Sequence, residues 1–97
     1  MLRDVFLAFV RVHLLHHAAA GRIYGLEMIE ELRHHGYDMG PGTLYPILHA
    51  LEENGYFKKE EELTNGKVRK YYRITPAGRK LLAQLKARIR ELVDEVL

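Results

Sequence analysis

The sequence of 97 residues contains no cysteine, no tryptophan and no apolar run long enough to cross a bilayer. Without cysteine the chain can form neither a disulfide nor a thiolate metal site, and it has no cysteine nucleophile. We find no signal-peptide pattern of charged start, apolar middle and small-residue cleavage site. These absences favour a cytoplasmic protein without membrane association, and the length predicts one compact domain.

The groupings of residues that enzymes use are also missing. There is no serine nucleophile elbow, no glycine-rich phosphate loop and no carboxylate pair with obvious shared placement. The acidic runs at Glu52-Glu53 and at residues 60–62 are typical of solvated surfaces. We therefore expect a protein that is not an enzyme and has no cofactor.

Positive charge is scarce in net terms, at +2, but it is concentrated locally. The stretch "KVRKYYR" from Lys67 to Arg73 has four basic residues and no acid, whereas residues 60–62 are all glutamate. Charge sorted in this way indicates a surface suited to an anionic partner more clearly than the net value does.

Apolar residues recur at helical spacing in three segments before the middle of the chain. We predict helices at about residues 2–20, ended by Gly21, then 24–35, and then from Pro41 to about Asn54. Glycine favours helix ends and proline favours the first helical turn. For the second helix we predict an inner face made of Leu26, Met28, Ile29 and Leu32.

A hairpin and a long helix follow. Asn65-Gly66 is a strong hairpin-turn signal, because both central positions of that turn require positive φ. Thr75 is predicted to cap the last helix, with Pro76 at its first position. In this helix the apolar residues repeat at steps of three and four, which is a heptad seam, at Leu82, Leu85, Ile89, Leu92 and Val96.

The order of elements predicts a fold that is mainly α with a β-hairpin. We interpret residues 1–75 as a winged helix-turn-helix and residues 76–97 as a dimerisation helix that forms one compact unit with the first helix. A generic small α+β domain remains an alternative on composition alone.

The start of the third helix is the predicted DNA-reading element, because such helices place their N-terminal end in the major groove. Gly40 and Gly42 allow close backbone approach, and Thr43 and Tyr45 can bond phosphates or base edges. His49 lies one turn further along the same face as Tyr45. The alternatives are a capping role for Thr43 and a packing role for Tyr45. This helix has no Lys or Arg, which favours reading of shape and backbone.

The hairpin supplies the missing positive charge. Lys67, Arg69 and Lys70 follow its tip and can lie along a phosphate backbone or enter a minor groove. The alternative is an exposed edge hairpin that charge protects from aggregation.

The heptad seam of the last helix predicts contact with a second copy of the chain, with Phe6 and Phe9 of the first helix joining it. Packing of the seam on its own domain is the alternative. A symmetric dimer presents two reading heads and therefore requires a palindromic site in double-stranded DNA.

Three histidines lie in "HLLHH", where His13 and His17 have the i, i+4 spacing of a metal-binding pair. No cysteine is present and the nearest acid in sequence is distant, so we expect no metal site. We interpret these residues, with His16, as surface or interface histidines.

Two sequence blocks, "GTLYP-x-L-x-x-LE-x-x-G" and "R-x-YYR-x-T-x-x-G-x-x-x-L", together resemble the PadR family of transcriptional regulators. The resemblance covers nearly the whole chain. It implies a dimeric winged-helix repressor whose third helix and wing bind an operator, with release by a small aromatic or phenolic effector. It implies DNA contact at Tyr24, Thr43, Tyr45, His49, Lys67, Arg69 and Lys70.

The single closing helix looks like the short branch of that family, in which the ligand site lies between subunits. The sequence departs from the pattern in two ways. Gly40 stands where serine is usual, and the tryptophan that sandwiches flat ligands in some members is absent. Phe6, Phe9 and Val10 are candidates to line such a site, with core packing as the alternative. A protein-interaction adaptor without specific DNA binding is the alternative function.

Overall fold

The computed structural model describes all residues from 1 to 97. Four helices and one antiparallel hairpin follow in the order α1 Leu2–Ala20, α2 Gly25–His34, α3 Pro41–Glu53, β1 Phe57–Thr64, β2 Lys67–Ile74 and α4 Pro76–Val96. This confirms the predicted order and the fold class, mainly α with a β-hairpin. The bounds differ from prediction by one or two residues at the helix ends.

The hairpin turn is the predicted one. Asn65 and Gly66 have φ values of 52° and 76°, which is the pair of positive values that a two-residue turn of this kind requires. The turn sets the register, in which Thr64 pairs with Lys67 and Phe57 pairs with Ile74. A bridge between Ile23 and Tyr72 ties the segment before α2 to the free side of β2.

The core lies where α1, α2 and α3 meet the base of the hairpin. Val10, Leu14, Leu32, Leu44 and Leu48 have no solvent exposure at all. Burial of such aliphatic side chains contributes about 1.5–3 kcal/mol each, and this is the main driving force for folding. Val10 therefore packs in the core, which removes it from the predicted effector site.

The inner face of α2 differs from prediction at one position. Met28, Ile29 and Leu32 are buried, but Leu26 is 61% exposed. Gly25 takes the buried position at the start of the helix, and the neighbouring residue is turned by about 100° from it. Leu26 consequently faces the hairpin side and not the core.

Thr75 caps α4 as predicted, since its Oγ1 accepts a hydrogen bond of 3.0 Å from the N–H of Gly78. The same hydroxyl donates to the carbonyl of Gly55 over 2.6 Å, which fixes the helix to the end of α3. Leu82 is only 5% exposed and packs in the core of its own chain. We therefore correct its assignment to a dimer contact, because a residue at that depth cannot reach a partner.

None of the four helices combines the length and the apolar character that a membrane crossing requires.

Candidate nucleic-acid interface

The first turn of α3 is open at its N-terminal end. Gly40 is the N-cap, Pro41 follows at the first position, and no side chain caps the helix. The backbone carbonyl of Gly40 accepts from the N–H groups of Thr43 and Leu44. An uncapped helix start carries a partial positive charge that attracts anions, and no acidic residue lies in this turn to cancel it.

A groove of ≈ 460 Å³ separates this helix from the hairpin, which we call the wing groove. The residues around it come from Tyr24 and the start of α2, from α3 and from the hairpin with its turn. Its lining residues are Tyr24, Gly25, Leu26, Tyr45, Thr64, Asn65, Lys67, Val68, Arg69 and Lys70. Five of the seven predicted DNA contacts therefore line one concave surface, although they span nearly half of the sequence.

The ring of Tyr45 rests against the backbone of Gly25. A Cβ added at Gly25 would lie 2.5 Å from the Cζ and Oη atoms of that ring, so a larger residue would displace the ring from this position. Tyr45 nevertheless keeps 38% of its surface exposed. The two interpretations of Tyr45 are thus compatible, because one side of the ring packs while the rest faces the wing groove.

Two arginines stack on two tyrosines at the base of the wing. The guanidinium of Arg69 lies 4.3 Å from the ring centre of Tyr24, and that of Arg22 lies 3.7 Å from the ring centre of Tyr71. The two rings meet edge to face at 5.5 Å. Each such cation–ring contact contributes about 0.5–1 kcal/mol at an exposed site, and together they hold the wing against the entry to α2.

The acids of the wing are occupied by other partners. Arg22 forms ion pairs with Glu62 at 2.6 Å and with Glu60 at 3.4 Å, and Arg73 contacts Glu60 at 2.9 Å. The hydrogen bond from Arg73, and then that from Arg22, hold the pKa of Glu60 below its ordinary value. Glu62 is the direct cross-strand neighbour of Arg69, but Arg22 engages its carboxylate.

Lys67, Arg69 and Lys70 consequently have no carboxylate within 4.0 Å, and their charge is uncompensated at the wing groove. Sequence reasoning missed Arg22, Gly25 and Tyr71, which shape this surface. No local signal could have found them, because their partners are distant in sequence.

The remaining two predicted DNA contacts lie elsewhere. Thr43 is half-buried on the other side of the α3 start, in a cleft with Tyr37 and Phe6. His49 is exposed, and its ring nitrogens lie 3.1 Å from Glu53 and 3.8 Å from Glu52. The structure does not bring either residue into the wing groove.

The predicted dimer residues lie on α1 and on the outer half of α4. Phe9, Leu85, Ile89 and Leu92 line an apolar groove of ≈ 490 Å³ between these helices, which we call the α1–α4 groove. Val96 is 65% exposed in the last turn of α4, beyond the groove. The ring of Phe6 instead packs edge-on against Tyr37 and stays 46% exposed.

Comparison with known proteins identifies the family. Residues 14–84 match the family described as transcriptional regulator PadR-like. The transcriptional regulator Rv3488 of Mycobacterium tuberculosis is 45% identical over 96 residues, which cover 99% of this chain and 90% of the relative.

Solved structures of transcription factors share the fold. A transcriptional regulator from Clostridium thermocellum is 35% identical, with a TM-score of 0.80 over 96% of this chain and 93% of the other. A PadR-like transcription factor from Bacteroides fragilis is 27% identical, with a TM-score of 0.85 over 97% and 92% of the two chains. The resemblance seen in the sequence is confirmed, and the protein is not an enzyme: the chain belongs to the PadR-like family of transcriptional regulators.

Proposed function

We propose that this regulator is a cytoplasmic homodimeric repressor that binds an inverted repeat in double-stranded DNA. The observation that carries the proposal is the wing groove. It brings Tyr24, Tyr45 and three cations that have no carboxylate within 4.0 Å onto one surface. The uncapped start of α3 lies at the N-terminal end of the helix that carries Tyr45.

The parts of this surface take different roles in binding. The first turn of α3 enters the major groove, where the small side chains of Gly40 and Gly42 let the backbone approach the duplex. Lys67, Arg69 and Lys70 contact phosphates along one flank. Because α3 has no Lys or Arg, the common bidentate contact to guanine is absent from it. Sequence selection rests on DNA shape and on hydrogen bonds from Tyr45.

The partner on α1 and α4 is a second copy of the chain. From Lys86 onward every residue of α4 is solvent-exposed in the single chain, including Ile89, Leu92, Val93 and Val96. A monomer that leaves such a stripe of apolar side chains in water favours association. Twofold pairing through this stripe places two wing grooves on one side and calls for two half-sites spaced by turns of DNA.

The α1–α4 groove is also the proposed effector site. Its volume of ≈ 490 Å³ falls within the range of about 300–1,000 Å³ that small-molecule sites occupy. Its lining is mainly aliphatic, with Phe9 and Tyr56 as the aromatic members, so it suits a small hydrophobic or aromatic ligand. A ligand there would change the angle between the two reading heads and release the operator.

Selection from a random duplex DNA pool, followed by sequencing, tests the proposal. Enrichment of an inverted repeat is expected, and a reporter placed behind that repeat should be less active when the protein is present. If the protein retained DNA weakly and in a salt-sensitive way, with no sequence enriched, it would recognise the shape of DNA and would not read an operator. No retention at all would favour the alternative function as a protein-interaction adaptor.

A further inference from the structure

Three imidazoles with metal-binding donor atoms lie together where α1 packs against α2, and one carboxylate lies beside two of them. His13 and His17 stand four residues apart on α1, and Glu31 and His35 stand four apart on α2 and its C-cap. We call this group the histidine cluster. The donor atoms of its three imidazoles all lie within 4.8 Å of one another.

Glu31 links the two helices within the histidine cluster. Its Oε1 atom lies 3.5 Å from Nε2 of His17 and 3.2 Å from Nε2 of His35. From the sequence we expected no metal here, because no cysteine is present and the nearest acid is distant along the chain. The packing of α2 on α1 removes that objection, since it brings a carboxylate and a third imidazole to the pair.

We propose that the histidine cluster binds one divalent transition-metal ion of the zinc class. A tetrahedral zinc ion with bonds of about 2.0–2.1 Å holds its donor atoms about 3.3 Å apart. The two distances from Glu31 already match that spacing. The imidazoles need to close by at most about 1.5 Å from their present 4.8 Å, which side-chain rotation supplies.

The donor set selects the class of metal. Three imidazole nitrogens and one carboxylate oxygen suit Zn²⁺, Co²⁺ and Ni²⁺, whereas Mg²⁺ and Ca²⁺ prefer oxygen ligands. The ring of His13 stacks on that of His35 at 4.7 Å, and Tyr37 covers its other edge at 5.5 Å. These contacts cover one side of the site with aromatic rings.

Occupation of the site would tie α1 to α2 directly. This matters for regulation, because α1 borders the proposed dimer contact and α2 leads into α3. The ion competes with the present contacts of Glu31, whose Oε1 lies 3.5 Å from Nε2 of His17 and 3.2 Å from Nε2 of His35.

The experiment titrates the untagged, metal-free protein with Co²⁺ and follows the visible absorption bands of the tetrahedral ion. One Co²⁺ per chain is expected, with displacement by Zn²⁺. The variants His35→Ala and Glu31→Gln alter half-exposed residues, so the fold should persist, as circular dichroism checks. Each should weaken binding by at least about tenfold.

Two neighbouring histidines serve as matched controls. His16 directly precedes His17 on α1, and His34 directly precedes His35 at the end of α2. Both are exposed. His16→Ala and His34→Ala each remove one imidazole but should change the affinity by less than about twofold, since neither residue belongs to the cluster. Equal losses in controls and cluster variants, or no tetrahedral spectrum, would overturn the proposal.

A melting experiment provides a second measurement without DNA, so its result does not depend on the proposed operator binding. Zinc at about 100 times its Kd should raise the melting temperature of the unaltered protein by about 10 °C or more. The His35→Ala protein should show at most about half of that rise at the same zinc concentration, because binding that is weaker by tenfold or more leaves zinc at no more than about ten times the variant's Kd.

Discussion

The uncompensated charge of the wing can be measured through the salt dependence of DNA binding. Replacing Lys67, Arg69 and Lys70 together by alanine removes three phosphate contacts from each chain and six from the proposed dimer. Each contact contributes about 0.9 to the slope of log K against log salt, so the slope should become shallower by about 5. Affinity for all sequences should fall, because phosphate contacts do not depend on base identity.

The size of the effect follows from the lack of carboxylates within 4.0 Å of these three cations, because each is then free to neutralise a phosphate and release the counterion condensed on the DNA there. When the salt concentration rises from about 50 to 200 mM, the unaltered protein should therefore lose about 10³ times more affinity for DNA than the triple variant. Fluorescence anisotropy with a labelled duplex at a series of salt concentrations measures both slopes. Light scattering should show that the triple variant has the same mass as the unaltered protein, since none of the three residues lies near α4.

Arg73→Ala is the matched control, because it removes one positive charge from the same strand. Its guanidinium is already paired with Glu60 at 2.9 Å, so the slope should change by much less than about 1.8 per dimer, the value for one free cation per chain. Lys70→Ala alone should give that full change. Equal slopes for the triple variant and the unaltered protein, or equal changes for Arg73→Ala and Lys70→Ala, would refute the reasoning.

Other predictions concern assembly and stability. Ile89→Asp should give a folded monomer by light scattering, whereas Ala87→Asp, on the opposite face of α4, should leave the dimer intact. Gly42→Ala should raise the free energy of unfolding in urea by about 0.5–1 kcal/mol, since its Cβ would meet nothing within 4 Å, but should weaken DNA binding. Gly78→Ala should lower that free energy by more than about 1 kcal/mol, since its Cβ would collide with a backbone carbonyl. The hydrogen bond from Arg73 lowers the pKa of Glu60. The ion pair between these residues therefore stabilises the fold fully at pH values above the ordinary carboxyl pKa of 4.5, and this stabilisation is lost as the pH falls through the lowered pKa. Urea unfolding of Glu60→Gln should lack that part of the pH dependence.

The local elements followed from the sequence because short-range chemistry determines them. The positive φ values of Asn65 and Gly66, the cap at Thr75 and the proline at Pro41 each act within a few residues. The helix bounds and the hairpin register were therefore predictable, and so was the family, through two blocks of residues that these elements contain.

The tertiary structure decided which residues share a surface. Leu26 faces outward and Leu82 inward, because the position of Gly25 and the packing of α4 set their orientation, and periodicity alone does not distinguish the faces. The ion pair between Arg22 and Glu62 joins residues about forty positions apart. It leaves Arg69 without an acidic partner.

The same holds for the candidate metal site. The sequence showed an i, i+4 histidine pair on one helix, and only the contact between α1 and α2 added Glu31 and His35 to it. Local propensity determined the elements of this protein from the sequence alone. The composition of its wing groove and histidine cluster depended on how the core packs those elements together, since side chains far apart in sequence meet only there.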